Sequence, residues 1–134
     1  MVHEKKENIL TRGTETILVV EDELGVRNLT KRVLEASGYT VHTAASGGEA
    51  FLTCERIGDS IHLMLTDIVM PEMSGRELAE RLVKICPNMK VLYMSGYTED
   101  TIVHHGVLDQ NMNFISKPFS LPALTAKVRE VLDK

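Results

Sequence analysis

Along the chain, short apolar runs alternate with stretches whose apolar residues recur every three or four positions. Thr16 to Val20, TILVV, is continuous and β-branched, the pattern of a strand buried on both faces. A helical stretch follows, with Val26, Leu29, Val33 and Leu34 on one side and Gly38 as its stop. Tyr39 to Ala44 alternates and predicts a second strand. Ser46 and Glu49 form a capping-box pair, so a short helix is expected through Leu52 and Ile57. IHLMLT, from Ile61, is the third strand. Ser74 and Glu77 repeat the capping box and open a helix with Leu78, Leu82 and Val83, ending near Pro87. KVLYMS is the fourth strand, and a short helix is expected from Thr98 as N-cap. NFIS is the fifth strand. The last helix starts at a Ser120 cap and turns Leu121, Leu124, Val128 and Val131 or Leu132 inward.

Five rounds of strand then helix predict an α/β domain, a doubly wound (βα)5 unit with a parallel sheet and helices on both faces. Residues 15–134 form this domain, and residues 1–14 read as a polar tail or linker. The 134 residues suit one core, and 43% apolar with 25% charged residues is an ordinary soluble balance. A net charge of −4 argues against nucleic acid as a direct partner. No apolar run approaches the roughly 20 residues of a membrane span, and the polar N-terminus lacks a signal-peptide core. A cytoplasmic place is expected, with Cys54 and Cys86 as reduced structural thiols.

In open α/β sheets, ligands sit at the carboxyl ends of the strands. The first strand ends in Glu21-Asp22-Glu23, the third in Asp67, the fourth in Ser95-Gly96 and the fifth in Lys117-Pro118. Glu21, Asp22 and Asp67 would then lie close together and repel. A hard divalent cation resolves that conflict: Mg²⁺ takes one or two carboxylates and accepts phosphate oxygens. With Lys117 opposite, the site has positive charge ready for a phosphoryl group, and an Asp carboxylate can serve as nucleophile.

The motifs VVEDE, LTDIVMPEMSG, YMSGYT and ISKPFS make the chain resemble the response-regulator receiver domains of two-component signalling, from about Thr16 to Lys134. The resemblance implies a flavodoxin-like sheet of order 2-1-3-4-5. It also implies a phosphoacceptor Asp67, with Mg²⁺ held directly by Asp22 and Asp67, by Glu21 largely through water, and by the backbone carbonyl of Val69. Mn²⁺ is an alternative ion. Ser95 and Lys117 would complete the reactive set, with a cis Lys117-Pro118 bond. Ser95 and Phe114 take the positions of the two switch residues, and Phe114 lacks the hydroxyl of the Tyr often found there.

The implied donor is a sensor histidine kinase or a histidine phosphotransfer domain. The implied output is a change on the surface of the fourth helix, fifth strand and fifth helix, through which a homodimer is also open. ETILVVEDE and KVLYMSGYT are similar to the C-terminal receivers of hybrid sensor histidine kinases, which leaves a phosphorelay segment as an alternative. Two rivals are weaker. An Asp-nucleophile phosphohydrolase usually carries a second acid two residues after the nucleophile, where this chain has Val69. A receiver used only for binding would not need the complete set of Glu21, Asp22, Asp67, Ser95 and Lys117. The domain is therefore not expected to be an enzyme acting on outside substrates. His104-His105 is read as a solvated pair, and His42 and His62 as partly buried strand residues.

Overall fold

The computed structural model describes residues 12–96 and 112–134. The helix expected from Thr98, with Tyr97 and His104-His105, lies outside the described residues. The strands are β1 (Thr16–Val20), β2 (Thr40–Ala44), β3 (Leu63–Asp67), β4 (Lys90–Ser95) and β5 (Phe114–Ser116). They form one parallel sheet in the order β2-β1-β3-β4-β5. The helices are α1 (Leu24–Ala36), α2 (Gly47–Ile57), α3 (Gly75–Leu82) and α4 (Leu121–Leu132), the last being the C-terminal helix read from the sequence.

The sheet separates two cores. Alternate residues of β1 serve opposite faces: Leu18 and Val20 pack with Ala50, Cys54, Leu78 and Leu82 of α2 and α3. Ile17 and Val19 pack with Val33 and Leu34 of α1 and with Leu124, Val128 and Val131 of α4. The two faces of a strand thus explain why TILVV is apolar throughout. Cys54 and Cys86 are both free and buried.

Serine caps three helices as expected. Ser46, Ser74 and Ser120 accept hydrogen bonds from the backbone amides of Glu49, Glu77 and Ala123. Glu49 reaches back to the amide of Ala45, one residue before the cap, at 2.9 Å.

The helix faces differ from expectation in places. Leu29 is 53% exposed and Thr30 is buried in its stead. Thr30 tolerates burial because its hydroxyl donates to the Val26 carbonyl at 2.7 Å, leaving no unpaired donor. Helix α3 stops at Leu82, short of Pro87, so Val83 is its C-cap and is exposed while Ala79 faces the core. At the last helix Val131 is the buried residue of the alternative pair, and Leu121 is exposed. His42 is half-buried, but His62 is exposed and precedes β3; its Nδ1 accepts from the Thr16 amide at 2.9 Å.

The amino edge of the sheet carries a strap. The amide of Gly13 donates to the Ser37 carbonyl at 3.1 Å. Gly38 turns the chain there with φ of 105°, and a Cβ on it would lie 2.4 Å from the Gly13 oxygen. Arg129 of α4 grips Glu15 through two hydrogen bonds of 3.0 and 2.6 Å and also pairs with Asp133. The Lys90 ammonium reaches the Lys134 carbonyl at the same edge.

Candidate functional site

At the carboxyl edge, strand order reverses beside β1: β2 lies on one side and β3 on the other. The ends of β1 and β3 therefore open the crevice where such sheets bind ligands. Glu21 leaves β1 with its amide bonded to the Ala44 carbonyl at 3.0 Å, and the residue is 1% exposed. Asp67 closes β3 and is 5% exposed. Asp22, by contrast, is exposed. One carboxylate oxygen from each of Glu21, Asp22 and Asp67 lies within 4.8 Å of the others.

Lys117 enters from the segment after β5. Its Nζ stands 2.6 Å from Asp67 Oδ1 and 2.8 Å from Glu21 Oε2. Its amide donates to the Ser95 carbonyl at 2.7 Å, and the Lys117-Pro118 bond is cis. Buried Ser95 ends β4 in register with Ser116, and Asp67 lies in register with neighbouring Met94. The expected set of Glu21, Asp22, Asp67, Ser95 and Lys117 thus meets at one edge. Lys117 bridges two acids, whereas the sequence suggested only a cation opposite the cluster.

Burial sets the protonation of this group. Burial, and then its hydrogen bond with Glu21, push the Asp67 carboxyl up to about 8 against the pull of Lys117. Burial also pushes Glu21 upward, but hydrogen bonds from Asp67 and Lys117 outweigh it and hold Glu21 below the ordinary range. Lys117 is pulled down by burial and raised further by its bonds to Asp67 and Glu21, so it stays charged. The two acids are thus pushed in opposite directions, Asp67 up and Glu21 down, with the Lys117 ammonium against both.

Two supporting residues carry weak or no sequence signal. A Cβ on Gly75 would fall 1.9 Å from the Asp67 carbonyl oxygen, and the Gly75 amide donates to the Ile68 carbonyl at 2.7 Å. The first residue of α3 is thus pressed against the backbone of Asp67, and only glycine fits. The Ser-Gly after Met-Pro was legible as a cap and turn, not as this contact. Arg27, from the second turn of α1, donates from Nη1 to the Glu21 carbonyl at 2.8 Å. Val69 is 64% exposed at the rim. Phe114 is half-buried against Tyr93, with ring centroids 5.8 Å apart and planes inclined by 37°.

The model of the response regulator receiver domain matches residues 17–129. The chain belongs to the response regulator receiver family. As a receiver it is 43% identical over 122 residues to sensor kinase CckA of Brucella abortus, covering 91% of this chain and 13% of that kinase. It is 34% identical to the response regulator receiver protein CpdR of the same organism, covering 87% of this chain and 95% of CpdR. Among solved structures, a CheY-like receiver domain protein from Methanospirillum hungatei superposes with a TM-score of 0.74 at 33% identity, covering 90% of this chain and 95% of that one. A receiver domain protein from Clostridium thermocellum gives 0.77 at 26% identity, covering 89% and 94%.

The receiver's three acids can hold a divalent metal. The donors are hard oxygens, two of them on buried residues. That chemistry fits Mg²⁺ or Mn²⁺. Receivers serve phosphotransfer signalling and are not conventional enzymes. No helix among the described residues is long and apolar enough to cross a membrane.

Proposed function

We propose that Asp67 is the phosphoacceptor of this receiver and that the donor is a phosphohistidine on a sensor histidine kinase or a histidine phosphotransfer domain. The observation that carries this reading is the Lys117 ammonium 2.6 Å from the Asp67 carboxylate inside a three-acid cluster. Glu21, Asp22, Asp67 and the Val69 carbonyl would hold Mg²⁺, or Mn²⁺ in its place. A bound cation supplies positive charge that offsets the negative charge gathered by the acids and the phosphoryl group.

The chain's own residues do the rest. An Asp67 carboxylate oxygen attacks phosphorus, and the phosphorus–nitrogen bond breaks. The imidazole nitrogen keeps the bonding pair and takes up a proton. Lys117 faces the new phosphoryl oxygens, and the Ser95 hydroxyl is the donor at the end of the neighbouring strand. Both reorganise around the added charge of roughly −2. Phe114, tilted against Tyr93, reports the change through packing alone.

The likeness to sensor kinase CckA, of which this chain spans 13%, supports a place as one segment of a phosphorelay kinase. A cytosolic setting goes with it, in keeping with two unpaired buried cysteines. Incubation with acetyl phosphate and Mg²⁺ should add one phosphoryl group, seen by intact mass. Asp67→Asn should abolish the addition, and undiminished labelling of that variant would overturn the assignment.

A further inference from the structure

Helix α1 begins without the device that starts its neighbours. Its N-cap residue, Glu23, makes no side-chain capping bond, and its first turn carries no acid, whereas Ser46, Ser74 and Ser120 cap α2, α3 and α4. The uncapped corner is the one that presents Glu21 and Asp22. Two of its contacts belong to the sheet or to the acid itself: the Glu21 amide on the Ala44 carbonyl, and the Glu23 amide on Glu21 Oε1 at 3.2 Å. The third comes from α1, where Arg27 Nη1 donates to the Glu21 carbonyl at 2.8 Å.

That carbonyl belongs to the peptide unit joining Glu21 to Asp22. A peptide unit is planar, so fixing its oxygen also fixes the direction in which the chain enters Asp22. Glu21 needs little help, because Lys117, the Glu23 amide and complete burial already hold its side chain. Asp22 is exposed and depends on its backbone for direction. We propose that Arg27 is a positioning residue for the cation site, presetting Asp22 by holding the Glu21–Asp22 peptide plane and so tightening the affinity for Mg²⁺. This rests on the reading that the three acids bind Mg²⁺.

The two physical effects of the guanidinium have opposite signs. Its charge, close to the acids, repels an incoming cation, so losing charge alone would tighten binding. Its hydrogen bond orders a ligand, so losing the bond weakens binding. Arg27→Met removes both, and Arg27→Lys keeps the charge and a donor of similar reach. Calorimetric titration with MgCl₂ should show affinity about tenfold weaker in Arg27→Met, the low end for residues that orient a metal ligand, and within about twofold of wild type in Arg27→Lys. The half-saturating Mg²⁺ for acetyl phosphate labelling should move by the same factor, with the rate recovering as Mg²⁺ saturates. A role confined to folding would not move that half-saturation point. Should Arg27→Met lose its cooperative melt, Arg27→Gln, neutral and too short to span the gap, carries the same expectation. Equal or tighter Mg²⁺ binding in the folded neutral variants overturns the proposal. Wild-type protein that takes up no Mg²⁺ would instead overturn the cation reading beneath it.

Discussion

Neutralising Asp67 should stabilise the metal-free receiver. The folded protein holds this carboxyl at about 8, against an ordinary value of 3.8, chiefly by burial and then by the bond with Glu21. Because the folded value is raised, stability is fullest below pH 3.8 and falls as pH rises from there toward 8. Keeping the group protonated at pH 7, when the unfolded chain would release the proton, costs up to about 4 kcal/mol at 1.36 kcal/mol per unit. Asn escapes that cost, because it is neutral in both states and can still hydrogen-bond to Glu21. It forfeits the Asp67–Lys117 contact, but Lys117 keeps Glu21 at 2.8 Å and is not left unpaired. A net gain of about 1–3 kcal/mol is expected, roughly 3–10 °C in Tm for a domain of this size. The assay is thermal melting by circular dichroism of wild type and Asp67→Asn in EDTA at pH 4, 6 and 8. The gap should open as pH rises and narrow when Mg²⁺ is added, since the cation stabilises the wild type by mass action. If Asp67→Asn melts at or below wild type in EDTA at pH 8, the clustered-charge account is wrong.

The Arg129 clamp holds Glu15 at about 2, so its stabilisation is complete above pH 4.5 and is lost as pH falls toward 2. Glu15→Gln should cost about 1 kcal/mol at pH 7 after allowance for solvent screening, and should flatten the acid limb of a stability–pH curve. Gly75→Ala puts a methyl on the Asp67 carbonyl and should destabilise the domain by about 2 kcal/mol or more while slowing acetyl phosphate labelling; an unchanged melt and rate would contradict the contact. Val69 offers no hydrogen bond to an attacking water, so the phosphorylated wild type should decay slowly and Val69→Asn faster, as followed by intact mass over time; an equal or slower rate in the variant would count against this.

The parts of this fold that were legible are those where one physical demand dominates. β1 and β4 match their apolar runs residue for residue, because a parallel strand covered on both faces admits few polar residues. The serine caps are local chemistry and needed no tertiary knowledge. Helix faces were harder. Leu29 and Thr30 differ by one position, and the choice between them turned on whether the Thr30 hydroxyl could satisfy itself within the helix. His62 was drawn into the third strand by the apolar residues around it, although its ring stays exposed as an acceptor for the start of β1.

The site shows the same division. Which residues end the strands follows from chain order, so the acids, Ser95 and Lys117 were readable. What Lys117 bridges, why residue 75 lacks a side chain and which residue steadies the Glu21–Asp22 corner all depend on distances across separate elements. No spacing in the sequence encodes those distances.

The strap on the amino edge has a practical consequence. The segment from Gly13 to Glu15 is pinned against Ser37 and Arg129, and Lys134 is held by Lys90 at the first residue of β4. Both attachment points lie across the sheet from the acid cluster. A bead, sensor chip or fluorescent protein joined at either one leaves the carboxyl edge open to a donor. A fluorophore there would stay dark to events at Asp67 unless they are relayed through the sheet or along α4. For surface-based binding measurements that insulation is an advantage, and an optical reporter of phosphorylation belongs instead beside Phe114.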